Sequence, residues 1–133
     1  MINGLVVYTT YMLNKVNKLS IEKLKKKPKE AMVFFSEVTE VSTSDMPNNW
    51  IKLKTTDGKI FYEDKSIVSF IRIVEENTNI VFQKIEKKVA ININLATHKS
   101  NLSIIELKNG DIYEVNKRYR GKLKITLSRV WKE

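Results

Sequence analysis

Two clusters of basic side chains are the residues of this chain best suited to chemistry. Lys84, Lys87 and Lys88 fall within FQKIEKKVAI, and Lys117, Arg118, Arg120, Lys122 and Lys124 fall within NKRYRGKLK. Ammonium and guanidinium groups at this density suit phosphate oxygens. The planar arginine fork also matches the acceptor edge of guanine. Asn116, just ahead of the second cluster, carries an amide that can pair with adenine or a phosphate. Tyr119 between the two arginines can pack or hydrogen-bond to backbone. Either cluster could instead be a solvated strand edge, because lysines blunt edges against aggregation. The second resists that reading better, since it contains arginines.

Other chemistry has little to stand on. There is no cysteine, which excludes disulfides, thiolate nucleophiles and cysteine-based zinc modules. His98 is the single histidine and sits in a polar Thr-His-Lys-Ser stretch, so a histidine metal cluster is not expected. The four glycines, Gly4, Gly58, Gly110 and Gly121, are too far apart for a phosphate-cradling loop. Asp45, Asp57 and Asp111 fall in or beside turn sequences, where aspartate serves the backbone. No enzyme, cofactor or metal is expected.

The charge is unevenly distributed. The chain of 133 residues carries a formal +9. Residues 82–133 hold 12 basic and 5 acidic side chains, against 12 and 10 in residues 1–81. A field concentrated in this way favours a polyanion at one face, although a lysine-rich soluble surface would look similar. The N-terminus has no positive residue ahead of its apolar stretch, unlike a signal peptide. No apolar run approaches the ~20 residues that cross a bilayer. A cytoplasmic protein with no membrane partner is the plain expectation.

The elements that must position these residues are short. Residues 2–13 read as a strand. Ser20 and Pro28 bracket a short basic helix over about 21–27. AMVFFSEVTEV, residues 31–41, reads as one buried strand, and STSDMPNN as a loop. WIKLKTT alternates, with Trp50, Lys52 and Lys54 on one face and Ile51 and Leu53 on the other. Asp57-Gly58 is a hairpin turn leading to the strand KIFYE. Ile67, Phe70, Ile71 and Val74 recur at helical spacing behind Ser66, which predicts an amphipathic helix over about 66–76. Asn109-Gly110-Asp111 marks a second hairpin between LSIIELKN and DIYEVNK. The closing RYRGKLKITLSRVWKE interleaves charged and apolar residues. The expected fold class is mostly β, built of packed short antiparallel sheets with one clear helix. Residues 1–30 are read as an extension packed on or beside a domain spanning 31–133.

In this order the signals resemble the LytTR-type DNA-binding domain of the LytR/AlgR response-regulator family. Phe82, Lys84, Ile85, Ile91, Asn92 and Asn94 fall in step with one family segment. Leu107, Asn109, Gly110, Val115, Arg118, Tyr119, Arg120, Lys122, Leu123 and Lys124 match a second, more specific one. The TTDGKIFY hairpin and the Ser66 helix resemble a third region upstream. The resemblance spans roughly residues 31–127.

The resemblance implies sequence-specific binding of duplex DNA by loops that enter successive major grooves. It places Lys87 and Arg118 at base-contacting positions, with Asn116 and Lys117 beside Arg118, and puts an upstream contact near Asn49 or Trp50. Lys84, Lys88, Arg120 and Lys122 complete the expected DNA-binding set. The chain departs from the pattern at Glu86, where the family has histidine, and at Lys88, where it has serine. A receiver domain does not fit in the about 30 residues before Met32, so a stand-alone regulator is expected. Two protomers on paired DNA repeats, and a regulatory protein partner, are further expectations. The alternatives are a LytTR-like protein-interaction module that no longer reads DNA, or an RNA binder.

Overall fold

The computed structural model describes residues 4–9, 30–43 and 50–131. The expected basic helix over 21–27 and Asn49 lie outside the described residues. Strands dominate, as the alternation and turn chemistry predict. Ile51, Leu53 and Thr55 of β4 (Ile51–Thr55) are buried while Lys52 and Lys54 are half-exposed. β4 turns at Asp57-Gly58 into β5 (Ile60–Glu63), with the Gly58 N–H donating to the Thr55 carbonyl at 2.9 Å. Gly58 takes φ +81°, the left-handed region that favours glycine.

Among the described residues the main sheet is antiparallel and has seven strands in the order β2-β1-β5-β4-β3-β7-β6. β1 (Gly4–Thr9) pairs on one side with β2 (Glu30–Phe34) and on the other with β5, so Gly4–Thr9 is a strand of the sheet itself. The single buried strand expected over 31–41 is two strands. A 3-10 turn at Phe35–Glu37 separates β2 from β3 (Val38–Ser42). It drives the Phe35 ring fully inside, and the Glu37 carbonyl accepts from Thr56 N–H at 2.8 Å. The apolar run is continuous in sequence, so nothing local marks the break.

α1 (Ile67–Asn77) forms where the spacing puts it. The Ser66 hydroxyl accepts from the Ser69 amide at 3.0 Å and caps the helix. Ile67, Phe70 and Val74 face inward, and the Phe70 ring meets Phe35 and Phe82 edge-on at centroid distances of 5.7 and 5.2 Å. This is the first of two cores.

The second core lies at the other end of the sheet, where β6 (Phe82–Glu86) and β7 (Val89–Asn92) continue beyond β3. It gathers Ile85, Ile91, Ile93, Ile105, Leu107, Val115, Leu123 and Leu127. A two-stranded ribbon of β8 (Ile104–Glu106) and β9 (Ile112–Glu114) covers it, together with α2 (Arg120–Val130). α2 is a further helix, the second among the described residues, that the sequence reading did not separate from the strands before it. Its buried side, Leu123, Thr126 and Leu127, is narrow, and basic residues interrupt the pattern on every turn. The exposed His98 ring lies 5.2 Å from Trp131 at the helix end.

Tyr113 of β9 ties the ribbon to the sheet, and Lys54 of β4 adds an ion pair to Asp111 at 3.2 Å. The Tyr113 hydroxyl is buried against Thr39 and Glu40 of β3. Burial, with the Glu40 carboxylate nearby, pushes its ionisation well above the usual phenol range.

One stability measurement follows. Phe70→Ala should cost about 3–5 kcal/mol in urea denaturation, because both ring contacts are lost from a closed core.

Candidate nucleic-acid interface

The Lys84–Lys88 segment is the arm and tip of the β6–β7 hairpin. The register shifts between Lys84 and Glu86, so Ile85 is an extra residue on the β6 side. Such a bulge lets a strand turn two successive side chains to new directions. Ile85 enters the second core, while Glu86, Lys87 and Lys88 are exposed at the tip. The Lys88 carbonyl accepts from Thr43 N–H at 3.1 Å, which fixes the tip against the end of β3.

The second segment begins where β9 ends. Val115 N–H donates to Ser103 O and Asn116 N–H donates to Ile85 O, each at 2.8 Å. The second bond delivers the Asn116 backbone to the base of the hairpin tip. The Asn116 side-chain oxygen then accepts from Arg118 N–H at 3.0 Å and caps a 3-10 turn, Lys117–Tyr119, that runs directly into α2. Arg120 is held back, its Nε donating to the Val115 carbonyl at 3.3 Å. Lys117, Arg118 and Lys122 remain exposed. They cluster at the N-terminal end of α2, where the helix dipole is positive and favours an anion.

Both expected basic segments therefore meet at one place. Glu86 from the first and Asn116, Lys117 and Arg120 from the second line a shared open cleft of about 420 Å³, together with Ile104 and Glu114 of the ribbon. Lys84 is half-buried along β6 and stands back from the tip. α2 is pinned to β6 by Thr126, whose hydroxyl donates to the Gln83 side-chain oxygen at 2.6 Å.

Trp50 requires a correction. Its side chain is 1% exposed, in the body of the protein just ahead of β4, so it has no surface to offer a nucleic acid. The expected alternation set Trp50 beside Lys52 and Lys54, but the strand starts only at Ile51 and the tryptophan turns inward before it. The ribbon residues Ile104 and Glu114 were missed by the sequence reading, because short alternating strands carry no signal for what stands opposite them. Among the described residues no group of acids and histidine is arranged to hold a metal ion. No helix of the described residues is long and apolar enough to cross a membrane.

A seven-stranded antiparallel sheet with a small ribbon and a C-terminal helix on a second core is a recognisable architecture. The chain has the LytTR-type fold. No family model matches its sequence, and no curated protein matches it. Among solved structures it is similar to the LytTr DNA-binding domain of a putative methyl-accepting/DNA response regulator from Bacillus cereus. The TM-score is 0.65 at 14% identity, covering 96% of this chain and 98% of that one.

The local geometry makes Asn116 a cap first. Asn116→Ala should destabilise the protein by about 1 kcal/mol in chemical denaturation, and Asn116→Ser, which keeps an accepting oxygen, should restore most of it.

Proposed function

We propose that this chain is a transcription regulator that binds duplex DNA in a sequence-specific way, through the paired loops at the β6–β7 tip and the Asn116–Lys122 turn. The observation that carries the reading is the bond from Asn116 N–H to Ile85 O, which makes one surface of two basic segments far apart in sequence. The concentration of positive charge in residues 82–133 supports it, and so does the fold, since the similar Bacillus cereus structure is described as a DNA-binding domain.

The side chains divide by freedom. Arg118 and Lys87 are exposed at the two protruding turns and are assigned to base edges. Lys88, Lys117 and Lys122 are assigned to phosphates, where a flexible ammonium suffices. Arg120 is tethered by its Nε and presents its remaining N–H groups in a fixed direction, which suits a phosphate at the cleft. Asn116 has one lone pair committed to its cap, so its NH2 group is the part left for DNA. The major groove, about 12 Å wide, admits such turns without a recognition helix. Two protomers on paired repeats would double the phosphate contacts.

One observation favours a second reading, a protein-interaction module. The outer face of the ribbon alternates exposed Ile104 and Ile112 with Glu106 and Glu114. A purified partner captured by the protein, with no motif recovered from random duplexes, would decide for it.

Two measurements test DNA reading. Log affinity should fall with log salt at a slope of roughly −0.9 per phosphate neutralised, and Lys117→Gln or Lys122→Gln should each reduce that slope by about one. Arg118→Ala should lose about 1–3 kcal/mol on the selected sequence while leaving random-sequence binding far less affected. Salt-insensitive binding with no selected motif would remove the proposal.

A further inference from the structure

Glu86 is the residue that the basic surface does not explain. It is exposed at the hairpin tip, followed by Lys87 and Lys88, and shares the cleft with Lys117, Arg120 and a second carboxylate, Glu114 of the ribbon. With Lys87 and Lys88 next in the chain and Lys117 and Arg120 in the same cleft, it still forms no ion pair with any described residue. Its direction is set by the Ile85 bulge, because the register shift that sends Ile85 into the core sends Glu86 outward beside Asn116. A carboxylate at this place would repel phosphate and cost affinity unless it met a hydrogen-bond donor.

We infer that Glu86 is a specificity-determining residue that accepts a hydrogen bond from the exocyclic amine of a cytosine in the major groove. This deepens the DNA-reading proposal and rests on it. An ionised carboxylate is an acceptor only. The donors that base pairs show in the major groove are the amines of cytosine and adenine, whereas guanine N7 and O6 and thymine O4 are acceptors and would repel it. Adenine sets its acceptor N7 beside the amine, again facing the carboxylate. Cytosine has only a C–H beside its amine. The cations beside Glu86 offset its repulsion of the DNA phosphates, which lets the acid approach a base edge. Lys87, one residue further along the turn, is carried to an adjacent step, so the acid and its neighbouring cation read different chemistry.

The test is selection from random duplexes by the full chain, run in parallel on wild type, Glu86→Gln and Glu86→Ala, with affinities then measured on the selected sequences. Glu86 is exposed, and circular dichroism and thermal melts would confirm that both variants fold. Wild type should select cytosine at one position of its motif, and replacing that base should weaken binding roughly tenfold. Glu86→Ala should lose the preference at that position alone. Glu86→Gln should move it toward adenine, which an amide pairs bidentately. Both variants lose a negative charge, so both should bind random DNA more tightly at low salt; that gain by itself does not support base reading. A wild-type motif that both variants reproduce at every position overturns the role of Glu86 while leaving DNA reading intact. A wild type that selects no motif overturns both.

Discussion

The hydrogen bond from the Asn116 amide to the Ile85 carbonyl joins residues 31 positions apart in sequence, at 2.8 Å. Its two ends come from elements that bury apolar side chains in the same core, Ile85 from the β6 bulge and Val115 from the end of the ribbon. Each polar partner is presented because the residue beside or within it is buried. Without that core the two basic segments would repel one another and separate. With it, the repulsion is held in a fixed arrangement and becomes an attractive field for an anion. The Asn116 cap then starts the turn into α2, so one short stretch of backbone satisfies a strand edge, a turn and a helix start.

The rest of the molecule holds this junction still. β7 lies between β6 and β3, and the buried Asn92 side chain donates to Val38 O at 3.1 Å where the two cores adjoin. The first core, closed over α1 by the edge-on Phe35, Phe70 and Phe82 rings, therefore continues into the second through one sheet. Phe82 and Ile85 belong to the same strand yet to different cores, which the bulge between Lys84 and Glu86 makes possible. That irregularity also turns Glu86 outward, so the packing of the core and the lining of the cleft share one backbone feature.

Much of this was legible locally. The Asp57-Gly58 turn, the Ser66 cap with its helical apolar spacing, and the turn at Asn109-Gly110, where Gly110 adopts φ +96°, depend on backbone preferences that act within a few residues. They stood where the sequence placed them. The failures share another cause. The run 31–41 is broken at Phe35 by what the ring must fill, not by any turn residue. Trp50 follows a polar stretch of sequence and precedes an alternating strand, yet it is buried because a large ring finds space inside. α2 presents a weak apolar stripe among lysines, and tertiary packing of Leu123 and Leu127 rather than its own pattern makes it a helix.

The sequence by itself determined the inventory: a basic C-terminal half, two cationic segments with an acid inside the first, the principal turns, one amphipathic helix and a mostly β class with a LytTR-like order of motifs. Charge, turn propensity and periodicity are properties of neighbouring residues, so they can be read without a fold. The tertiary structure alone decided which of those residues share a surface. It placed Lys87 and Arg118 on neighbouring turns, withdrew Trp50 to the interior, committed part of Asn116 to a cap, tethered Arg120 and turned Glu86 outward. Each of these depends on a hydrogen bond or a buried side chain contributed by a distant segment, and no window of sequence contains both partners.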